Sequence, residues 1–141
     1  MHMSYSRMLL PVSAMVGLTG TVWFKLFVDR IGELNRRKIT PEKLKSGEQK
    51  FEDVQSSDHF KNLFEVPVLF YTLCGALALT KADSDLQYYA AWTFVGLRVG
   101  HAYIHCTYNN IMQRLYVYLS STLLLFGMWA VFVAQIATGR L

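Results

Sequence analysis

The residues of this chain best placed to do chemistry are Arg98, His101 and His105, three ionisable groups inside an otherwise apolar stretch. At about 3.6 residues per turn they fall within roughly 60° of one another on a helix surface, so they form one polar stripe, with Gly96 and Gly100 on the opposite side. A second polar pair, Asn62 and Glu65, shares one helix face just before Pro67, at the start of another apolar stretch. An ionised group facing hydrocarbon costs at least about 2.5–3.5 kcal/mol on insertion scales. Glu65 and Arg98 are therefore expected to face protein or a wet cavity, each as the other's partner, although such a pair could equally be a salt bridge that fixes helix register. His101-x-x-x-His105 also has the spacing of a two-histidine metal pair, with Cys106 and Glu65 as conceivable further ligands. Two histidines at that spacing are a weak signal, and no metal is assigned.

These groups need elements to hold them. The 141 residues are 52% hydrophobic and 14% aromatic. The apolar residues are gathered into four blocks instead of being spread at amphipathic spacing, which is the distribution a bilayer demands. The spacing predicts helices over about 9–28, 59–80, 86–107 and 115–137, joined by a polar loop at 29–57. Residues 1–141 are thus expected to form a single all-α integral membrane domain, a four-helix transmembrane bundle. A cleavable signal peptide competes for the first block, but the run is long and no small-residue cleavage site ends it. Within the second helix, Pro67 lacks an N–H and leaves the carbonyl of Leu63 without its helical partner, so a kink or an inserted polar group is expected beside Glu65. Asp83 and Asp85 suit a cap for the third helix, and Asn109 and Asn110 suit a turn before the fourth. Cys74 and Cys106 sit in apolar surroundings and do not suggest a disulfide framework.

Seven lysines and arginines, among them Arg30 and Arg37, lie between 29 and 57. The positive-inside rule then makes that loop cytoplasmic and puts both termini on the other side. The formal charge of +4 is read as membrane topology and not as a nucleic-acid surface, because the basic residues cluster in one loop without a nucleic-acid motif. In this topology the second helix leaves the cytoplasmic face and the third returns to it. Asn62, Glu65, Arg98, His101, His105 and Arg114 all come to one level of one leaflet. Gly96-x-x-x-Gly100 faces away from them and suits close helix or subunit packing.

Asn62-x-x-Glu65 followed by Pro67, and Arg98-x-x-His101 followed by Arg114, together with four spans and a basic first loop, resemble the membrane-associated proteins in eicosanoid and glutathione metabolism (MAPEG). The resemblance covers nearly the whole chain and is closest to the family's bacterial members. It implies a homotrimer in the cell's inner membrane, if the source is bacterial, with bound glutathione as co-substrate and a lipophilic small molecule reaching its thiol through the bilayer. The implied activity is that of a glutathione-dependent transferase or peroxidase. By the same resemblance Glu65 would meet the glutamyl amino group and Asn62 the peptide. Arg98, His101 and Arg37 or Arg30 would hold carboxylates, and Arg114 would be the catalytic cation that favours thiolate. Two departures stand out. Members that bind glutathione well usually carry arginine within a turn before the asparagine, where this chain has Asp58, His59 and Lys61. Where the family's enzymes commonly have a tyrosine one turn after His101, this chain has His105. A lipid-binding or scaffold protein of the same fold, and a metal-dependent membrane enzyme built on His101 and His105, are the alternative readings.

Overall fold

The computed structural model describes residues 6–51 and 60–139. Among them the chain is all-helical, without a strand. Five helices follow in order: α1 (Leu9–Arg37), α2 (Pro41–Ser46), α3 (Val66–Thr80), α4 (Asp85–Cys106) and α5 (Ile111–Ala137). Residues 60–62 are also helical and precede α3 across a short interruption. The expected start of the second helix near Asp58 or His59 lies outside the described residues.

The first helix does not stop at residue 28 but continues to Arg37, nine residues into the expected loop. Its charges explain the extension. Lys25 pairs with Asp29 at 3.0 Å, Arg30 with Glu33 at 3.1 Å and Arg37 with Glu33 at 3.0 Å, all at helical spacings that stabilise the added turns. Lys38 then ends the helix in the left-handed conformation at φ 49°. Pro41 and Gly47 bracket α2: Thr40 caps it through Lys43 N–H and Gly47 closes it at φ 79°.

Two other boundaries differ from expectation for local reasons. Ser84, and neither flanking aspartate, caps α4 by accepting from Gln87 N–H. Asp85 accepts from Arg7 Nη1 at 2.6 Å and Asp83 lies 3.5 Å from Arg7 Nε, so both aspartates tie the turn before α4 to the entry of α1. The Asp85 hydrogen bond also raises the Arg7 pKa above its ordinary value. Helix α5 starts at Ile111, four residues early, because the Asn110 side chain accepts from Gln113 N–H.

Three segments, Leu9–Arg37, Phe60–Thr80 and Ile111–Ala137, are long and apolar enough to cross a membrane. The fourth expected crossing, α4, has the length, 22 residues or about 33 Å. Its polar stripe leaves it outside that set. That stripe is turned inward: Gln87, Arg98, His101 and His105 are all buried. Helix α4 packs most extensively on α5, while α1 lies against α3 and α4. At the centre the rings of Phe70 and Phe94 stack with centroids 4.5 Å apart, and Met15, Val22, Leu73 and Leu125 fill the space around them. Two side chains stitch the helices through backbone carbonyls, Gln87 Nε2 to Met128 at 3.0 Å and Trp129 Nε1 to Leu69 at 3.3 Å. The outer surface carries Phe24, Leu79, Leu123 and Phe126 exposed, a distribution suited to lipid. Gly96 and Gly100 face outward as expected, and a methyl group added at either would meet nothing within 4 Å.

Candidate functional site

Pro67 cannot donate to the carbonyl of Leu63, and the segment breaks where the sequence places the defect. Leu63 and Phe64 N–H groups close tight turns onto the carbonyls of Phe60 and Lys61, at 3.2 and 2.9 Å. Glu65, at φ −97° and ψ −99°, is neither helical nor extended. The chain thus turns the carbonyl of Asn62 away from its own helix. Arg98 reaches across from α4 and donates to it from Nη2 at 3.1 Å. An inserted polar group is present as expected, but it serves Asn62 instead of Leu63.

The anticipated Glu65–Arg98 pair is not made. Arg98 is fully buried, and its one hydrogen bond among the described residues goes to backbone. Glu65 is exposed, and no ion pair joins it to Arg98 among the described residues.

Asn62, His101 and Arg114 meet. Together with Ile111, Leu115 and Tyr118 they line an open cavity of about 230 Å³. His101 reaches it from α4, and Asn62 from the end of the helical turn before the break. Because α5 begins early, Arg114 sits in its first turn, where Nη1 donates to Asn109 Oδ1 at 2.9 Å. Asn109 itself holds the turn at φ 46°. The wall therefore offers one fixed cation, one imidazole, one amide and one phenol within an apolar rim, a set able to orient an anionic or zwitterionic ligand.

Tyr118 is the member that reading the sequence missed. Its ring lies 5.9 Å from that of His101 and 5.8 Å from the Arg98 guanidinium carbon, within cation–π reach. The available signal was its place one turn after Arg114, on the same face of α5.

The remaining candidates lie elsewhere. His105 is buried behind His101, ring centroids 5.7 Å apart and edge to face, and does not line the cavity. Among the described residues no third His, Cys, Asp or Glu joins them in a group able to hold a metal ion. Arg37 is engaged by Glu33 and donates to the Lys50 carbonyl at 3.4 Å, and Arg30 lies over the Phe51 ring at 4.6 Å. Glu33, only 2% exposed, is the buried carboxylate between the two arginines and was not anticipated. Cys74 is buried and Cys106 half-buried, both as free thiols.

A second space is lined by the same segment. Asn62 faces the polar cavity, and the next two residues, Leu63 and Phe64, line an apolar groove of about 610 Å³ together with Val16, Trp23 and Tyr71. Comparison with known proteins gives a match of the MAPEG family model to residues 8–134. No curated protein and no solved structure matches the chain at a significant level.

Proposed function

Because the chain belongs to the MAPEG family, we propose that it is a membrane enzyme that binds glutathione in the cavity of Asn62, His101, Arg114 and Tyr118 and joins it through its sulfur to a lipophilic electrophile. The observation that carries this reading is the convergence of a cation, an imidazole and an amide from three separate segments on one cavity. Glutathione has two carboxylates, an ammonium group and a thiol. In this reading Arg114 lies beside the sulfur and stabilises thiolate, the form that attacks. The sulfur then bonds to the electrophilic carbon and the leaving group departs with its electron pair. With a hydroperoxide the sulfur bonds to the terminal oxygen as the O–O bond breaks, and the alkoxide leaves with the pair and takes a proton. A second glutathione reduces the resulting sulfenic acid to disulfide and water. The apolar groove behind Leu63 and Phe64 is a route by which a bilayer-dissolved substrate would approach.

A neighbouring copy fits the same reading. About 230 Å³ is below the roughly 300–1,000 Å³ usual for ligand pockets, and Glu65 is exposed on a segment apolar enough for a membrane. In a homotrimer the adjoining subunit would enlarge the cavity and cover that carboxylate. Arg37 and Arg30, engaged by Glu33 in this subunit, are assigned to the boundary between copies. A scaffold reading is favoured by one observation, that Arg98 serves backbone and not the cavity.

Titration of detergent-purified protein with glutathione, repeated with Arg114→Ala and His101→Ala, tests the enzyme reading. Binding that weakens at least about tenfold in both variants, with conjugation of a generic aryl halide, supports it. Absence of binding by calorimetry together with absence of conjugation overturns it in favour of the scaffold.

A further inference from the structure

We infer that Arg98 is a positioning residue: it pins the Asn62 carbonyl freed at the break before α3 and so sets Asn62 into the cavity, without itself binding ligand. The inference rests on the glutathione reading only for its affinity measurement.

In an unbroken helix the carbonyl of Asn62 would accept from the N–H of Val66, four residues on. Here Val66 opens a new helix, the N–H groups of Leu63 and Phe64 turn back by three residues, and the Asn62 carbonyl accepts from α4 instead. A backbone carbonyl left without a donor inside a membrane costs several kcal/mol, so a donor to the Asn62 carbonyl stabilises the broken form. Arg98 Nη2 is that partner at 3.1 Å.

The rest of the guanidinium is equally informative. Arg98 is 0% exposed, Nε and Nη1 have no hydrogen-bond partner among the described residues, and the side chain is absent from the cavity wall that Asn62 occupies. An arginine placed to grip a ligand carboxylate would present its two-pronged edge to the cavity. This one gives its one hydrogen bond among the described residues to the chain, and the Tyr118 ring packs beside it. Its effect on any ligand therefore passes through Asn62. Removal of Arg98 releases the Asn62 carbonyl, lets the segment 63–66 open, and withdraws the amide from the site.

The test combines hydrogen exchange by mass spectrometry with glutathione calorimetry on the full chain in detergent, for Arg98→Leu, Arg98→Lys, Asn62→Ala and the Arg98→Leu/Asn62→Ala double variant. Arg98→Leu is expected to speed amide exchange at residues 63–66 and weaken glutathione by about tenfold. Asn62→Ala weakens it to a similar degree with exchange unchanged, and the double variant is no weaker than Arg98→Leu. Lysine can still give one N–H to one carbonyl, so Arg98→Lys keeps wild-type exchange and most of the affinity. Arg7→Ala, at the α1 entry and the turn before α4, lowers Tm without moving either measurement.

Wild-type exchange at 63–66 in Arg98→Leu overturns the inference. So do additive losses in the double variant, or an Arg98→Lys protein as impaired as Arg98→Leu, since loss on exchanging guanidinium for ammonium marks a bidentate ligand contact. If the wild type binds no glutathione, the glutathione reading fails and the exchange data alone decide the role of Arg98. Should Arg98→Leu not fold, Arg98→Gln, too short to reach the carbonyl, carries the same comparison.

Discussion

The ring of Tyr118 lies 5.9 Å from that of His101 and tilted 47° to it, so α4 and α5 meet at the cavity through an aromatic contact and not an ion pair. The phenol's contribution is separable from the ring's. Tyr118→Phe keeps the ring against His101 and Arg98 and is expected to retain folding and glutathione affinity within about threefold. Tyr118→Ala removes aromatic contacts worth about 0.5–1.5 kcal/mol each and should weaken binding by about tenfold. Calorimetry on both variants checks the difference.

Arg114 is the one fixed cation on the cavity wall, anchored by Asn109. Arg114→Ala is expected to abolish the ultraviolet thiolate signal of bound glutathione and to lower the conjugation rate at least about a hundredfold, or about 2.7 kcal/mol in the barrier. Arg114→Lys, which keeps the charge without the planar fork, should fall between. Asn109→Ala, which loosens the arginine and leaves the charge in place, should lower the rate less than either.

Glu33 carries a different expectation. It is 2% exposed and accepts from both Arg30 and Arg37. Glu33→Gln removes the charge that draws two cations onto α1 and is expected to cost about 1.5–3 kcal/mol, the range for hydrogen bonds to charged groups. Thermal unfolding in detergent measures it. Salt should not reproduce the loss, because a buried carboxylate is poorly screened.

What the sequence made legible, and what it hid, divides along physical lines. The meeting of His101 with Asn62 and Arg114 could be read from helix period and alternating crossings, because both are properties of the chain taken one helix at a time. The break at Pro67 could be read for the same reason, since a missing N–H is local. Which carbonyl it freed could not, because that depends on how residues 63–65 turn once the helix stops. The expected Glu65–Arg98 pair failed at that step: Glu65 is exposed, and the break gave the guanidinium a backbone acceptor. The Glu33–Arg37 pair is not legible in the sequence because it requires the first helix to continue past residue 28. Tyr118 escaped notice because a hydroxyl among apolar neighbours looks like packing until Arg114 is seen one turn before it.

The inward stripe of α4 bears on how the chain enters a bilayer. Helices α1 and α5 and the Phe60–Thr80 segment satisfy the apolarity of a self-sufficient crossing, and α4 does not. An arginine at a helix centre alone carries about 2.5–3.5 kcal/mol against insertion. Only four residues separate α4 from α5, and the two make the most extensive helix pairing. Helix α4 is therefore expected to be a dependent passenger: fused alone to a glycosylation reporter it should fail to insert, whereas the α4–α5 hairpin should insert as a unit. Insertion of α4 by itself would remove that dependence. The residues that shape the cavity would then also set the order in which the protein is built.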